Sequence, residues 1–196
     1  NTAYGTCALW CNTTASNNTA YGATSMNRNT TGTANTSLGQ SSMYSNTTGC
    51  QNTAVGFQTM FNHTTGLRNV GVGYVALFTN TTGYYNTAVG GQSLFSNTAG
   101  TWNTSVGFQS MYTNTTGSQM TAVGYNALYF NTTGVENTAY GFEALYTNIT
   151  GNSNTSLGRR SLRMNTTGNG NIAVGQGAMY NNTTADYNVA MGYDAL

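Results

Sequence analysis

The sequence predicts an all-β repeat solenoid, a parallel β-roll or β-helix of about twelve rungs with 17 residues in each. The chain repeats every 17 residues from Asn1 to Leu196 without slippage, a glycine stands at position 5 of every copy, and hydrophobic residues recur at fixed positions. Self-similarity with a fixed period is typical of solenoids, in which each copy packs only on its neighbours. We therefore predict a single solenoid over residues 1–196, with the last repeat incomplete.

The composition excludes several functional classes. Charged residues make up 5% of the chain and the formal net charge is +1, whereas ordinary soluble domains contain about 25% charged residues. This leaves no basic surface for nucleic acid, and no run of about 20 apolar residues is available for membrane insertion. Aromatic residues at 12%, placed at fixed positions, argue against disorder. The chain begins and ends within the repeat pattern, so we expect it to be part of a longer protein.

The first half of the repeat predicts a short strand followed by a corner. The averaged unit is N-T-A-V-G-x-x-A-L-aromatic-x-N-T-T-G-x-x, and positions 2–4 favour a strand whose apolar residue at position 4 points inward. Position 3 holds only Ala, Ser and Gly, which indicates close packing there too. Glycine at position 5 fits either a positive φ or the close approach of another backbone. The corner glycines are Gly5, Gly22, Gly39, Gly56, Gly73, Gly90, Gly107, Gly124, Gly141, Gly158, Gly175 and Gly192.

The second limb of the repeat has two possible forms. Position 8 is mostly small and position 9 is always Leu or Met, and two adjacent inward positions are awkward for a flat strand. The absence of Val and Ile from position 9 is typical of a helical turn. Helices about 10 Å wide do not match strands about 4.8 Å apart, however. We favour a bent strand, with a strand plus a short helical turn as the alternative.

Asparagine occupies two positions of the repeat. Position 1 is Asn except at Met120, and position 12 is Asn except at His63. Stacked amides can hydrogen-bond from copy to copy, and we favour such inward ladders. The N-T-T turn also creates N-x-[ST] acceptors for glycans, and Asn62-His63-Thr64 keeps one where the ladder is interrupted. The possible glycosylation sites are Asn12, Asn29, Asn46, Asn62, Asn80, Asn114, Asn131, Asn148, Asn165 and Asn182.

Residues for catalysis or metal binding are scarce. His63 is the sole histidine, and the chain has four acidic residues. We predict no catalytic site, no metal site, no cofactor and no enzymatic activity. Glu143 and Arg160 share position 7 in successive copies, which predicts a solvated ion pair.

Three cysteines, Cys7, Cys11 and Cys50, lie in the first three copies. An odd number allows one disulfide within the chain plus a spare thiol, or links between chains. The C-x-x-x-C spacing without a second pair is a poor zinc signal.

Position 10 forms an aromatic stripe along the repeats. We favour packing within the rod or against a neighbouring chain, with a carbohydrate-stacking surface as the alternative. A threonine array at position 13, including Thr13, Thr30 and Thr47, is a candidate for contact with ice. The stripe consists of Trp10, Tyr44, Phe61, Phe78, Phe95, Tyr112, Tyr129, Tyr146 and Tyr180, and it is broken by Asn27 and Arg163.

The run A-V-G-x-x-A gives a family resemblance. It occurs at Ala54-Val55-Gly56 and Ala122-Val123-Gly124, and it is similar to the head repeats of trimeric autotransporter adhesins. The segment 103–119 also resembles repetitive stretches of bacterial and phage surface-fibre proteins. The resemblance implies a left-handed parallel β-roll, often trimeric, displayed outside the cell for adhesion or as a spacer. This repeat is longer by the N-T-T-G segment, and it comes with no coiled-coil stalk or membrane anchor.

These observations predict a structural or adhesive fibre module at the cell or virion surface or elsewhere outside the cell. We expect its partners to be copies of itself, assembled as a filament or a trimer, because an uncharged β-rich surface tends to self-associate. The alternative function is a carbohydrate- or ice-binding module that uses exposed aromatic or threonine ladders.

Overall fold

Twelve three-residue strands pair in chain order and form one parallel sheet. The computed structural model describes all residues from Asn1 to Leu196. It contains no helix that is long and apolar enough to cross a membrane. The strands are β1 (Thr2–Tyr4), β2 (Thr19–Tyr21), β3 (Thr36–Leu38), β4 (Thr53–Val55), β5 (Val70–Val72), β6 (Thr87–Val89), β7 (Thr104–Val106), β8 (Thr121–Val123), β9 (Thr138–Tyr140), β10 (Thr155–Leu157), β11 (Ile172–Val174) and β12 (Val189–Met191).

The register of the sheet follows the sequence repeat without an offset. Val55 pairs with Val72, and Val72 pairs with Val89, so each residue lies beside its equivalent in the next copy. Each 17-residue copy is therefore one rung of a β-solenoid, and equivalent side chains form columns along its axis. The predicted fold class is confirmed.

The orientation of the strand side chains differs from the prediction. The sequence predicts that position 4 points inward, but the buried residue is the middle residue of the strand, at position 3, as at Ala54 and Ala88. Val89, at position 4, is 36% exposed. A Cβ placed on Gly71, which is also at position 3, would contact Met60 at position 9 of the preceding rung. The large residue of position 9 fills the interior, so only a small side chain fits opposite to it.

Both of the predicted reasons for a glycine, a positive φ and the close approach of another backbone, apply at the corners. Their φ angles lie between 125° and 141°, a region that side chains rarely adopt. In all but the last rung, a Cβ would also lie closer than 3.0 Å to backbone atoms of the corner glycine in the next rung. The predicted strand end at position 5 is confirmed.

The second limb is neither a strand nor a helix, so both predicted forms are wrong. Positions 6–11 form a series of turns in which positions 7 and 9 have positive φ, such as 51° at Gln58 and 54° at Met60. Rung-to-rung hydrogen bonds hold this backbone, as where Met60 N–H donates to Ala76 O at 2.9 Å. β-branched side chains are disfavoured at positive φ, which explains Leu and Met at position 9.

The core runs along the axis as a narrow column. Its 23 buried residues include Leu or Met at position 9 and mostly Ala at positions 3 and 8. Where serines replace alanines at both positions, they bond to each other across the interior. Ser25 Oγ donates to Ser37 Oγ, and Ser93 Oγ donates to Ser105 Oγ, both at 2.8 Å. These buried hydroxyls are satisfied, so the exchange of Ala for Ser leaves no orphaned polar group.

Candidate interaction surfaces

The two asparagine columns form buried ladders, as predicted, each interrupted at one rung, by Met120 at position 1 and by His63 at position 12. At position 1, Asn52 donates from its backbone N–H to Asn35 Oδ1 at 2.9 Å. At position 12, Asn114 Nδ2 donates to Asn97 Oδ1 at 2.9 Å. The side chains of these four residues are at most 1% exposed.

One backbone carbonyl, at position 15, joins the two ladders in each complete rung except the one with Met120. Gly32 O accepts from Asn18 Nδ2 at 2.8 Å and from Asn29 Nδ2 at 3.0 Å. A Cβ at Gly32 would come within 3.0 Å of the side chains of Asn29 and Asn46, so position 15 needs glycine for space between the ladders. This pattern satisfies polar groups that would otherwise be costly to bury.

His63 takes over part of the role of an asparagine in the position-12 ladder. Its Nε2 lies 3.0 Å from Gly66 O, and its Nδ1 lies 3.2 Å from Asn80 Nδ2. A neutral ring with the proton on Nε2 satisfies both contacts. Burial lowers the pKa of His63, and the Gly66 and Asn80 carbonyls, which could both accept from a protonated ring, only partly oppose this shift. The histidine is fully buried and has no acidic partner, so the geometry gives it a packing role.

Most of the possible glycosylation sites belong to the buried position-12 ladder. Asn29, Asn46, Asn80, Asn114, Asn131, Asn148 and Asn165 are buried, and their Nδ2 atoms donate to ladder partners. A glycan on Nδ2 would remove one donated proton and force the chain open. Asn62 is different, because it lies at position 11 and is only partly buried. Asn12 and Asn182, in the terminal rungs, are also partly buried.

A small charged cluster surrounds Glu143. Its Oε2 accepts from Arg160 Nε at 2.9 Å, as the sequence predicted, and also from Arg163 Nε at 2.8 Å. Burial alone would raise the pKa of Glu143, but the hydrogen bonds and charges of the two arginines lower it. Arg163 also lies over the Tyr146 and Tyr180 rings, so it fills the place of an aromatic residue in the position-10 column.

The three cysteines are free thiols in this structure. Cys7 is partly buried and Cys11 is exposed, both in the first rung. Cys50 Sγ, two rungs further, accepts from Thr33 N–H at 3.3 Å. No group of three or more His, Cys, Asp or Glu side chains converges to hold a metal ion.

The position-10 stripe is a half-buried stack of parallel rings. Neighbouring rings from Tyr44 to Tyr146 have centroids 5.1–5.5 Å apart. Arg28 lies over the Tyr44 ring and Arg163 over the Tyr146 ring, so a guanidinium closes each end. Because each ring is covered by its neighbours, packing within the rod accounts for this stripe.

Position 6 carries a second aromatic stripe, which the sequence reasoning missed. Phe57 stacks on Tyr74 with centroids 5.7 Å apart, and the stack Phe108, Tyr125, Phe142 has spacings of 5.9 Å and 5.2 Å. These rings are exposed, and Tyr74 is the most exposed at 59%. The recurrence of aromatic residues at position 6 is visible in the sequence, but polar residues and glycine at this position in other copies make the column hard to recognise.

The threonine hydroxyls of position 13 donate to the next rung in all copies before the last. Thr13 Oγ1 donates to Thr30 O at 2.9 Å and Thr64 Oγ1 to Thr81 O at 3.0 Å, and the same bond recurs along the column except at Ile149 and at the final member, Thr183. These hydroxyls strengthen the rung-to-rung backbone pairing. The predicted contact with ice would therefore have to use their methyl groups.

The outward face of the sheet is formed by positions 2 and 4 and carries no charged residue. It includes exposed apolar side chains such as Leu38, Val89, Tyr140 and Leu157, which are 36–56% exposed. Contiguous exposed apolar surface is uncommon on monomeric soluble proteins and marks interaction sites. On this face it extends along all twelve strands.

The repeat, the parallel sheet and the paired ladders define a class, the β-solenoid repeat proteins. Comparison with models of known protein families, with curated proteins and with solved structures gave no match.

Proposed function

We propose that this chain is a structural module of a surface fibre, and that it associates side by side with copies of itself through the outward face of its sheet. The observation that carries the proposal is the absence of charge from positions 2 and 4 across twelve strands. An apolar residue recurs at position 4 on this face, which gives it hydrophobic surface to bury.

The dimensions of the face suit an interface between two copies. Twelve strands at about 4.8 Å span roughly 53 Å, and positions 2 to 4 cover about 10 Å along each strand. The product is on the order of 500 Å² for each partner, or about 1,000 Å² in total, which is at the lower limit for a specific interface. The uniform register makes one rung equivalent to the next, so contacts at one rung are repeated along the rod.

The setting outside the cell and an adhesive role belong to the same proposal. They are supported by the resemblance of A-V-G-x-x-A to adhesin head repeats, and by a surface that gains its polarity from uncharged Asn, Thr, Ser and Gln. The buried asparagine ladders are evidence for a stiff structural rod, because every rung is joined to the next by side-chain as well as backbone hydrogen bonds.

The experiment places charge on the sheet face and measures assembly. The double variant Val89→Lys/Val106→Lys adds two lysines at neighbouring rungs of this face. The matched control Thr116→Lys/Thr133→Lys adds the same charge at position 14, where both threonines are exposed. Sedimentation velocity and electron microscopy should show oligomers or bundles for the wild type and the control, and monomers for the sheet-face variant. A monomeric wild type, or a sheet-face variant that assembles as well as the control, would overturn the proposal.

A further inference from the structure

The position-6 aromatic stripe contains one gap. Phe57 and Tyr74 stack on one side of it, and Phe108, Tyr125 and Phe142 stack on the other. The rung between them carries Gly91. Tyr74 and Phe108, which border the gap, are 59% and 48% exposed. Because Gly91 has no side chain, each of these two rings has one face without an aromatic stacking partner.

The gap has the width of one ring. Adjacent rungs are about 4.8 Å apart, so Tyr74 and Phe108 are separated by about 10 Å. A flat six-membered ring placed midway would lie about 5 Å from each, within the range in which aromatic faces stack. The filled stacks of the same stripe have centroid distances of 5.2–5.9 Å, so an inserted ring would continue their spacing.

The neighbouring groups are polar and uncharged. Gln92 follows Gly91 in the chain and Gln109 follows Phe108, and Gln109 Nε2 donates to Gln92 Oε1 at 2.7 Å. This bond uses only one donor and one acceptor of the two amides, so further hydrogen-bonding capacity remains beside the gap. Positions 4–8 of these three rungs, residues 72–76, 89–93 and 106–110, contain no charged residue.

We propose that Tyr74, Gly91 and Phe108 form a binding slot for one pyranose ring of a neutral saccharide. A pyranose has an apolar face that stacks on aromatic rings and hydroxyl groups at its edge that bond to amides such as those of Gln92 and Gln109. The slot is open to solvent on its outer side, so the sugar chain can continue beyond the bound ring. The site lies at position 6, beside the self-association face of positions 2 and 4, and does not depend on assembly.

Gly91 allows the slot to be filled without disturbing the fold. Its φ lies outside the left-handed region, and an added Cβ would meet only the flexible Phe108 ring, at 3.3 Å and 3.6 Å. The variant Gly91→Phe therefore places a ring where the ligand would lie and completes the stripe. The variant Gly91→Ala leaves the slot open and serves as its matched control.

The test is an NMR titration with cellohexaose, followed at the ring protons of Tyr74 and Phe108. A single pyranose held between two ring faces predicts weak binding, with a Kd on the order of millimolar. Wild type and Gly91→Ala should show saturable shifts, and Gly91→Phe should bind at least about tenfold more weakly.

Two further arms make the result decisive. The variant Phe142→Leu removes a ring from the same stripe away from the slot and should bind like the wild type. A parallel titration with 4-methylphenol tests for a general aromatic site. No shift of Tyr74 and Phe108 up to about 10 mM cellohexaose, equal binding by Gly91→Phe, or tighter binding of 4-methylphenol would each overturn the saccharide assignment. Repeating the titration on a second sheet-face variant, Leu38→Lys/Leu157→Lys, whose lysines lie outside these three rungs, separates this site from self-association.

Discussion

The Oδ1 atom of Asn46 has no hydrogen-bond donor, because the next rung carries His63 where other rungs carry an asparagine. In intact parts of the ladder, the following Asn Nδ2 donates to this atom, as Asn46 Nδ2 does to Asn29 Oδ1 at 2.7 Å. The His63 ring has its Nε2 directed to Gly66 O instead. A buried acceptor without a partner costs about 1–3 kcal/mol.

The substitution His63→Asn should therefore stabilise the protein. It restores the donor to Asn46 and keeps the bonds to Gly66 and Asn80 that an asparagine makes at this position. We expect the free energy of unfolding to rise by about 1 kcal/mol, measured by urea denaturation at pH 7.5. The reverse change, Asn114→His, should lower it by a similar amount. Destabilisation by His63→Asn would show that the size of the histidine ring matters more than the lost bond.

The buried histidine should also make stability depend on pH. The pKa of His63 is lowered from 6.5 in the folded protein, so between that lowered value and pH 6.5 the unfolded chain binds a proton that the folded chain does not. His63 therefore causes no loss of stability above pH 6.5. As the pH decreases through this window, the free energy of unfolding falls by about 1.4 kcal/mol per pH unit. Thermal melts between pH 7.5 and pH 5 should show the decline in the wild type and its absence in His63→Asn.

The corner glycines should tolerate no side chain. Gly107 has a φ of 135°, and its added Cβ would collide with the backbone of Gly124 in the next rung. We expect Gly107→Val to cost at least about 3 kcal/mol or to prevent folding, because strain and steric overlap add. Gly91→Ala is the control, since it adds a Cβ in ordinary backbone. Equal melting temperatures for the two variants would contradict the corner assignment.

The charged cluster should contribute modestly and lose its contribution in acid. Glu143→Gln removes the ion pairs with Arg160 and Arg163, and we expect a loss of about 0.5–1 kcal/mol because Arg160 is 37% exposed. The lowered pKa of Glu143 means that the stabilisation is present above pH 4.5 and is lost as the pH falls through the folded pKa. The difference in the free energy of unfolding between the wild type and Glu143→Gln, measured by denaturation, should be smaller in high salt than in low salt. Glu136→Gln is the control, since Glu136 accepts only from Ser153.

Expression in a host that glycosylates Asn-x-Ser/Thr sites should modify the folded chain sparingly. Asn62 and the terminal Asn12 and Asn182 have partly exposed side chains, whereas Asn114 is fully buried. We expect intact mass before and after glycosidase treatment to show at most these three sites occupied. The variant Asn62→Gln should lose one glycan and Asn114→Gln none. Occupancy at the buried ladder positions would mean that the solenoid does not form before modification.

The repeat period determines how much of the fold the sequence could predict. It predicts the rungs, the corner at Gly56 and the ladder through Asn52, because each of these is a column of one residue type. The sequence predicts the wrong inward face for the strand, because Val55 is apolar although Met60 already fills the interior. The left-handed backbone at Met60 gave no glycine or asparagine signal, since rung-to-rung hydrogen bonds impose it.

The candidate surfaces were less predictable for a related reason. The Asn ladders follow from identity along a column, whereas the slot at Gly91 depends on a departure from its column. The consensus sequence of the repeat does not show residues that occur in a single copy. The exposed stripe through Tyr74 and Phe108 becomes visible only when the outward and inward columns are told apart.

The side-chain amides of the ladders all point the same way along the axis. Asn114 Nδ2 donates to Asn97 Oδ1, and Asn131 Nδ2 donates in turn to Asn114 Oδ1 at 3.0 Å. One end of any such rod thus presents amide protons and the opposite end presents amide oxygens. Two rods meeting at like ends would oppose donor to donor or acceptor to acceptor, so only a head-to-tail junction could extend the ladders from one rod to the next.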